Sequence, residues 1–328
     1  MAEPLPIVID TDGGVDDAAA LWWALTSPLV DVVAITTVWG NVGIDLATAN
    51  VCRVLHAAGR DDIPVAVGAG APVGPAPELR VPDFIHGADG LGDTNRPPAP
   101  FGAVDEPATD LLARLIGDRP GELTVVTLGP LSTVAELVSA DPTWAARVRE
   151  LIVMGGAVAS HGNALPAGEA NVAHDPTGAS IVVGAAWATP PLLVGLDITH
   201  EATLSDAEWA VLDRRATPAA EFLAEPLAFY RRFGSSLTPT GESPCHDLLA
   251  TMAPVLPGLI DAPVLPLAVD TDPGPAWGAT IADRRVPYFA RAGEGAEQEL
   301  PDGFSPWRVG LGVDVERFRA EVRALFGA

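Results

Sequence analysis

The chain has 328 residues, with 43 Asp or Glu against 19 basic residues, so its formal net charge is −24. All of the basic residues are arginine, which excludes the lysine of a phosphate-binding P-loop and Schiff-base chemistry. Basic side chains form no cluster larger than Arg-Arg pairs, whereas nucleic acids and anionic membranes attract basic surfaces. We therefore expect a globular protein that binds neither nucleic acid nor a membrane.

The N-terminal residues and the cysteines indicate the compartment. The first residues lack the basic and long apolar regions of a signal peptide, and no apolar stretch reaches the roughly 18 to 20 residues of a membrane span. The two cysteines, Cys52 and Cys245, do not make a disulfide framework. These features predict a cytoplasmic protein.

Short apolar, β-branched runs recur along the chain, with helix-like segments between them. The runs predict strands at Pro6–Ile9, Val32–Thr37, Val65–Val67, Leu123–Leu128, Glu150–Met154 and Leu192–Leu196. The other segments predict helices at Ala18–Leu25, Ala47–Ala58, Ala108–Ile116, Thr133–Ser139 and Pro176–Ala185. Strands that alternate with helices favour an α/β fold with a mainly parallel, doubly wound sheet flanked by helices. We expect one large domain over residues 1–328, since no Gly/Ser linker divides the chain.

Several other segments depart from this alternation. Ala69–Asp83 and Arg96–Ala108 are rich in proline and predict loops. The stretch of residues 204–253 again has a helical pattern, with a break at Gly234–Pro244. Asp270–Gly274 is similar to the acidic stretch near the N-terminus, but no helical pattern follows it, so we interpret it as a chance turn.

Four carboxylates directly follow the first predicted strand. Asp10, Asp12, Asp16 and Asp17 surround a Gly-Gly turn between a buried-looking strand and an apolar helix. Like charges repel, so a fold keeps them together when a cation lies between them, and oxygen ligands suit Ca²⁺ or Mg²⁺. The alternative is a solvated acidic turn. Ligands bind beyond the carboxyl ends of the strands in such sheets, which supports the metal site.

Eight motifs, in order, resemble those of the inosine–uridine nucleoside hydrolases. Residues 10–17 (DTDGGVDD) resemble the family signature DxDPGxDD, with Gly13 in place of the usual proline. Because glycine costs more backbone entropy to order, we expect this loop to be more flexible. The other similarities are residues 36–41 (TTVWGN), 86–92 (HGADGLG), 128–131 (LGPL), 154–156 (MGG), 162–171 (GNALPAGEAN), 195–200 (GLDITH) and 245–247 (CHD). The resemblance runs from about residue 7 to about residue 285.

The resemblance implies a Ca²⁺ cofactor. Asp12, Asp17, Asp247 and the backbone carbonyl of Leu128 would hold the ion. Asp12 would also take the proton from the attacking water, which a nearby metal ion makes easier to deprotonate. The helical segment 204–253 would cover the active site.

The resemblance also implies how a ribonucleoside is bound. Met154 would pack against the sugar, and Asn41 would orient Asp12 or bind the ribose. His246 is the first candidate for protonating the departing base and His86 is the second. The remaining residues expected to contact substrate are Asp16, Asn163, Glu169 and Asn171 on the ribose, and Tyr230 and Phe233 on the base.

These assignments predict Ca²⁺-dependent hydrolysis of the N-glycosidic bond of ribonucleosides to ribose and free base. One alternative is a hydrolase of the same fold that cleaves an unusual or modified ribosyl compound, and another is a non-catalytic Ca²⁺-dependent nucleoside-binding protein. Residues 10–13 also resemble the DxDG motif of haloacid-dehalogenase-type phosphatases, but those need a lysine that the chain lacks. The base preference is not apparent from the sequence, and the family resemblance suggests a homodimer or homotetramer.

Overall fold

The computed structural model describes residues 3–211, 214–234, 241–285, 300 and 302–327. The strands are β1 (Leu5–Thr11), β2 (Val30–Thr37), β3 (Val65–Val67), β4 (Thr124–Thr127), β5 (Glu150–Met154), β6 (Leu192–Val194), β7 (Thr203–Leu204), β8 (Ser243–Pro244), β9 (Ile260–Asp261), β10 (Val264–Val269), β11 (Thr280–Ala282), β12 (Ser305–Val309) and β13 (Gly312–Val313). The helices are α1 (Val15–Thr26), α2 (Ile44–Ala57), α3 (Asp83–His86), α4 (Ala108–Asp118), α5 (Ser132–Ala140), α6 (Ala170–His174), α7 (Pro176–Val183), α8 (Leu196–Thr199), α9 (Asp206–Trp209), α10 (Pro218–Gly234), α11 (His246–Met252) and α12 (Val315–Phe326).

A nine-stranded sheet organises the described part of the chain, in the order β11-β10-β12-β6-β5-β4-β1-β2-β3. The pairs from β3 to β12 are parallel, whereas β10 runs antiparallel to both β12 and β11. The chain adds β2 and β3 on one side of β1 and then returns to add β4 to β6 on the other side. The reversal of strand order at β1 is the position where doubly wound sheets bind ligands.

Helices cover both faces of this sheet. Ile7 and Ile9 of β1 lie in one core with α1, α2, α10, α11 and α12, whereas Val8 lies in a second core with α4, α5 and α7. All three side chains are fully buried, which explains why the strand is a continuous apolar run. Helix α1 is buried along nearly its whole length, so beyond its acidic first turn it is apolar all round rather than amphipathic. The chain is therefore a single α/β domain, as the alternation of strands and helices predicted.

The predicted strands and helices are all present, with ends that differ by a few residues. One end has a structural reason: β6 stops at Val194, and Leu196 begins α8, so the predicted strand Leu192–Leu196 was too long. The antiparallel strands β10, β11 and β12 were not predicted. Asp270–Gly274 forms part of the connection between β10 and β11, as expected for a turn.

The segment 204–253 contains α9, α10 and α11 within its described residues. Residues 212–213 and 235–240, which include most of the predicted break at Gly234–Pro244, lie outside the described residues. Among the helices that the structure describes, none has the length and apolar character needed to span a bilayer.

Candidate active site

The turn between β1 and α1 places acidic side chains at the switch point of the sheet. Within it, Gly13 has a φ of +70°, and a Cβ there would lie 2.7 Å from Ala47 Cα. Its carbonyl accepts a hydrogen bond of 2.9 Å from Asn50 Nδ2. Proline, whose φ is fixed near −65°, cannot adopt this conformation. The structural reason for glycine is therefore a close-packed left-handed turn, rather than the loop flexibility expected from the sequence.

Asp17, in the first turn of α1, is held by three donors. Its carboxylate accepts hydrogen bonds from the Thr11 hydroxyl, from the Gly14 backbone N–H at 2.9 Å and from Asn41 Nδ2 at 3.3 Å. Asn41 follows β2, whereas Thr11 and Gly14 lie at the end of β1 and just before α1. The side chain is therefore fixed by the ends of two neighbouring strands, and the N-terminus of α1 favours its negative charge.

Asp12 is oriented by a single residue, Asn41. The backbone N–H of Asn41 donates to Asp12 Oδ2, and its side-chain Nδ2 donates to Oδ1, both at 2.8 Å. Asp12 is 1 % exposed. Both carboxylate oxygens thus have a defined direction, as a general base requires.

Three carboxylates come together from two helices. Asp16 and Asp17 belong to α1, Asp247 is the second residue of α11, and one oxygen from each lies within 4.8 Å of the others. Asp16 Oδ1 is buried and has no hydrogen-bond partner within the described residues, whereas Oδ2 accepts from the Tyr230 hydroxyl at 3.3 Å. This triad contains Asp16, whereas the metal ligand predicted from the sequence at that place was Asp12.

Within the described residues, burial and mutual repulsion disfavour ionisation of the acidic cluster. Burial, followed by the charge of Asp17, raises the pKa of Asp16 to about 7. Burial followed by neighbouring carboxylates also holds the pKa of Asp12 and of Asp247 well above the usual range. A divalent cation would reverse this preference by favouring the charged forms. The oxygen donors and the orphaned Asp16 oxygen fit a hard cation such as Ca²⁺ or Mg²⁺.

Leu128 and Asn171 connect the cluster to β5. Asn171 Nδ2 donates to the Leu128 carbonyl at 2.8 Å and to the Met154 carbonyl at 3.2 Å, with the Met154 sulfur at 3.3 Å. A carbonyl oxygen has two lone pairs, so the Leu128 oxygen keeps one that a metal ion could use. Asn171 also bridges the ends of β4 and β5, which fixes both.

Glu169 and Asn163 both have local hydrogen bonds that order the loop before α6. Glu169 is the N-cap of α6 and accepts from the backbone N–H groups of Gly156, Asn171 and Val172 at 2.9 to 3.2 Å. Asn163 Oδ1 accepts from the Ala170 N–H at 2.8 Å. These side chains shape the wall of the site.

Two histidines line the same cavity, and both are buried. The Val15 backbone N–H donates to His86 Nδ1 at 3.2 Å, and His246 Nδ1 lies 2.7 Å from the Thr199 hydroxyl. Burial lowers the pKa of His86 to about 4 and that of His246 to about 3. Both imidazoles are consequently neutral near pH 7 and can each donate one N–H.

Aromatic side chains also line the cavity. Tyr230 and Phe233 come from α10, and the Phe233 ring meets the Phe84 ring edge to face at 4.9 Å between centroids. The Arg80 guanidinium stacks over Phe84 at 4.3 Å. Phe84 and Arg80, which lie in or next to the proline-rich loop, were not predicted as site residues from the sequence. The available signal was the position of Phe84, two residues before His86.

A single cavity gathers most of the predicted site residues. Twelve of the predicted residues line it, namely Asp16, Asn41, His86, Leu128, Met154, Asn163, Glu169, Asn171, Tyr230, Phe233, His246 and Asp247. Asp12 and Asp17 are buried and are not among the described lining residues. Asn41 links them to the cavity, because it lines the wall and donates to both carboxylates.

The fold and this cavity define an α/β protein with a carboxylate cluster at the switch point of its sheet. The family model described as inosine-uridine preferring nucleoside hydrolase matches residues 7–320. The chain belongs to this family, as the motif resemblance predicted. The match leaves the phosphatase alternative without support.

Individual relatives agree with this membership. The chain is 36 % identical to probable uridine nucleosidase 2 of Arabidopsis thaliana, covering 89 % of this chain and 90 % of the relative. It is 33 % identical to uridine nucleosidase 1 of the same plant, covering 97 % and 92 %. Among solved structures, a plant nucleoside hydrolase, PpNRh1, superposes with a TM-score of 0.90 at 34 % identity over 99 % of both chains. A purine-preferring ribonucleoside hydrolase from Gardnerella vaginalis gives a TM-score of 0.85 at 30 % identity over 98 % of both chains.

Proposed function

We propose that this nucleoside hydrolase is Ca²⁺-dependent and cleaves ribonucleosides to ribose and free base. The observation that carries the proposal is the buried carboxylate cluster beside a cavity that also contains amide, aromatic and imidazole groups. Asp12, Asp17, Asp247 and the Leu128 carbonyl would hold the ion, and the geometry supports Asp16 as a further ligand or as a ribose contact. When bound, the ion would supply positive charge and activation of a water molecule.

The protein groups around the cavity account for the chemical step. Asp12, aligned by Asn41, accepts a proton from water as the water oxygen bonds to C1′ of the ribose. The C1′–N bond breaks, and its electron pair leaves with the base. Positive charge develops on the ribosyl group in this transition state, and the surrounding carboxylates stabilise that charge.

Departure of the base is assisted by hydrogen bonds. Because burial keeps His246 and His86 neutral, we infer that they donate N–H groups to the leaving base rather than act as imidazolium acids. The base leaves with the C1′–N electron pair and takes up one proton from solvent. Asp12 returns to solvent the proton that it accepted from water, so no net proton is gained or lost.

The ribose and base would occupy opposite walls of the cavity. Asp16, Asn163, Glu169 and Asn171 offer donors and acceptors to the sugar hydroxyls, and Met154 packs beneath them. Tyr230 and Phe233 would contact the base. Since both belong to α10, we propose that the helical segment 204–253 covers the active site. A cytoplasmic location and a homodimer or homotetramer stay predictions from the sequence.

The test is release of free base from a panel of uridine, cytidine, inosine and guanosine, with and without the chelator EGTA. We expect Ca²⁺-dependent release from at least one nucleoside, and loss of release in Asp247→Asn. Binding of nucleoside without release would support the binding-protein alternative. Release from p-nitrophenyl riboside alone would indicate an unusual ribosyl substrate.

A further inference from the structure

The environment of His246 contains a polar contact that the proposed mechanism has not used. Thr199, the last residue of α8, is fully buried, and its hydroxyl lies 2.7 Å from His246 Nδ1. Helices α8 and α11 are neighbours in the fold. The contact therefore joins the GLDITH motif to the CHD motif. Thr199 and His246 are 47 residues apart along the chain.

The direction of this hydrogen bond follows from the needs of the hydroxyl. Thr199 Oγ1 has no second hydrogen-bond partner within the part of the chain that the structure describes. A buried hydroxyl left without an acceptor carries a large desolvation penalty. The acceptor available to Thr199 is His246 Nδ1, so the nitrogen carries a lone pair and not a proton. A neutral imidazole that is unprotonated at Nδ1 has its proton on Nε2.

The ring of His246 is held so that this proton faces the substrate side. Its Nδ1 edge faces Thr199. The His200 ring packs against the His246 ring with 5.9 Å between the ring centroids and an interplanar angle of 65°. His246 nevertheless lines the cavity. The edge that carries Nε2 is the edge left for the cavity.

His86 reaches the same arrangement by an independent contact. The Val15 backbone N–H donates to His86 Nδ1, which also leaves the proton of the neutral ring on Nε2. Two histidines on the cavity wall are thus both set as Nε2–H donors, one by a backbone amide and one by a hydroxyl. The hydroxyl of Thr199 is the one that substitution can remove.

We propose that Thr199 is a positioning residue that fixes His246 as the Nε2–H tautomer, so that this N–H donates a hydrogen bond to the departing nucleobase. The inference rests on the proposed function, because it assigns the polarity of a donor in that reaction. No group is transferred by Thr199, and its hydroxyl stays bound to Nδ1 throughout.

The kinetic test uses Thr199→Val, which keeps the shape of the side chain and removes the hydroxyl. We expect kcat/KM for a natural ribonucleoside to fall roughly tenfold, which corresponds to about 1.4 kcal/mol. The value for p-nitrophenyl riboside, whose leaving group needs no such hydrogen bond, should change less than about threefold. Thr199→Ser should restore most of the loss. Equal losses on both substrates would overturn the proposal.

The matched control is Thr124→Val. Thr124 is a fully buried threonine of β4 whose hydroxyl has no partner within the described residues. This variant undergoes the same chemical change without loss of a hydrogen bond. The ratio of kcat/KM for the natural ribonucleoside to kcat/KM for p-nitrophenyl riboside should therefore stay as in the wild type. A shift of the ratio in Thr124→Val as large as that in Thr199→Val would also overturn the assignment.

A direct readout is ¹⁵N NMR of the Ca²⁺-loaded wild-type enzyme labelled at histidine, with the His246 signals assigned from His246→Gln. We expect Nδ1 to resonate as the unprotonated nitrogen, and to lose this preference in Thr199→Val. A protonated Nδ1 in the wild type refutes the tautomer even if the valine variant does not fold. Failure of the proposed function is distinguishable, since it would abolish base release in the wild type while leaving the NMR result intact.

Discussion

The substitution Asp12→Asn tests both the base and the geometry that orients it. Asp12 accepts one N–H from the Asn41 backbone and one from its side chain, each at 2.8 Å. An asparagine has one oxygen and one NH₂ group, so one of the two Asn41 donors must then face another donor. The change removes the proton acceptor, removes one charge from the cluster and leaves one buried N–H without a partner.

The size of the effect follows from these three losses. A buried donor left without its acceptor costs about 1–3 kcal/mol, and loss of a general base lowers the rate by about 10² to 10⁴. We expect kcat to fall by at least about 10², with the fold retained. In EGTA, the lost charge also removes repulsion from Asp17, which partly offsets the lost hydrogen bond. The decrease in the free energy of unfolding should therefore be larger with Ca²⁺ than with EGTA.

Asp10→Asn provides the matched control two residues earlier on β1. Asp10 is fully buried, its Oδ1 accepts from the Thr36 hydroxyl at 2.6 Å, and its Oδ2 has no partner within the described residues. An asparagine can keep the bond to Thr36 and place its NH₂ at the vacant position. The control therefore removes a nearby charge without touching the Asp12–Asn41 contact.

The assays are base release at saturating nucleoside, calcium binding by calorimetry and thermal unfolding with Ca²⁺ or EGTA. We expect Asp10→Asn to keep kcat within about tenfold of wild type, which is below the range for loss of a general base. Equal losses in the two variants would show that overall charge matters and that Asp12 is not the specific base. Turnover of Asp12→Asn within about tenfold of wild type would show that another group activates the water.

Three further predictions concern the metal, the turn and the charge of the substrate. Removal of bound metal with EGTA should abolish base release and lower Tm, and Ca²⁺ at 100 times its Kd should restore about 2.7 kcal/mol of stability. An unchanged Tm would count against a bound cation. Gly13→Ala should lower the free energy of unfolding by about 1–3 kcal/mol, because Gly13 has a positive φ and an added Cβ would contact Ala47. Gly13→Pro should lower it more. Chemical denaturation measures both values, and a proline variant as stable as the wild type would contradict the turn conformation. A nucleoside 5′-monophosphate should have a much lower kcat/KM than its nucleoside, because the carboxylate cluster repels the charge of the phosphate. A preference for the monophosphate would refute this argument and would indicate that Arg80, which lines the cavity, binds the phosphate.

The sequence predicted the strands that are buried on both faces, because these read as uninterrupted apolar runs. Strands β10 and β12 escaped prediction for the opposite reason. Each contains a proline, at Pro266 and Pro306, and β12 has the polar Arg308 next to the buried Trp307. Proline interrupts the pattern of an ordinary strand, so only the tertiary pairing reveals these as members of the sheet.

The site was predictable to the extent that its residues follow strands. Parallel strands bring their carboxyl ends to one edge, so the polar residue after each strand had to lie near the others. The ordering of individual contacts was not predictable. Asp16, rather than Asp12, forms the carboxylate triad with Asp17 and Asp247, and this depends on side-chain positions that the sequence pattern does not give. Thr199 lies in the GLDITH motif, but its role was not predictable, because the sequence does not show which side chain its buried hydroxyl contacts.

The carboxylate cluster shows why the fold alone does not stabilise this site. Asp16 and Asp17 lie in the first turn of α1, where the helix dipole favours a negative charge by about 0.3–1 kcal/mol. Each close contact between like charges costs on the order of a few kcal/mol at an effective dielectric near 20. The dipole is therefore too weak to hold these charges beside Asp247 in the buried interior. The sheet and helices determine where the oxygens lie, whereas a cation bound among them would keep them ionised together. Such a cation would couple metal affinity, stability and catalysis at the same residues.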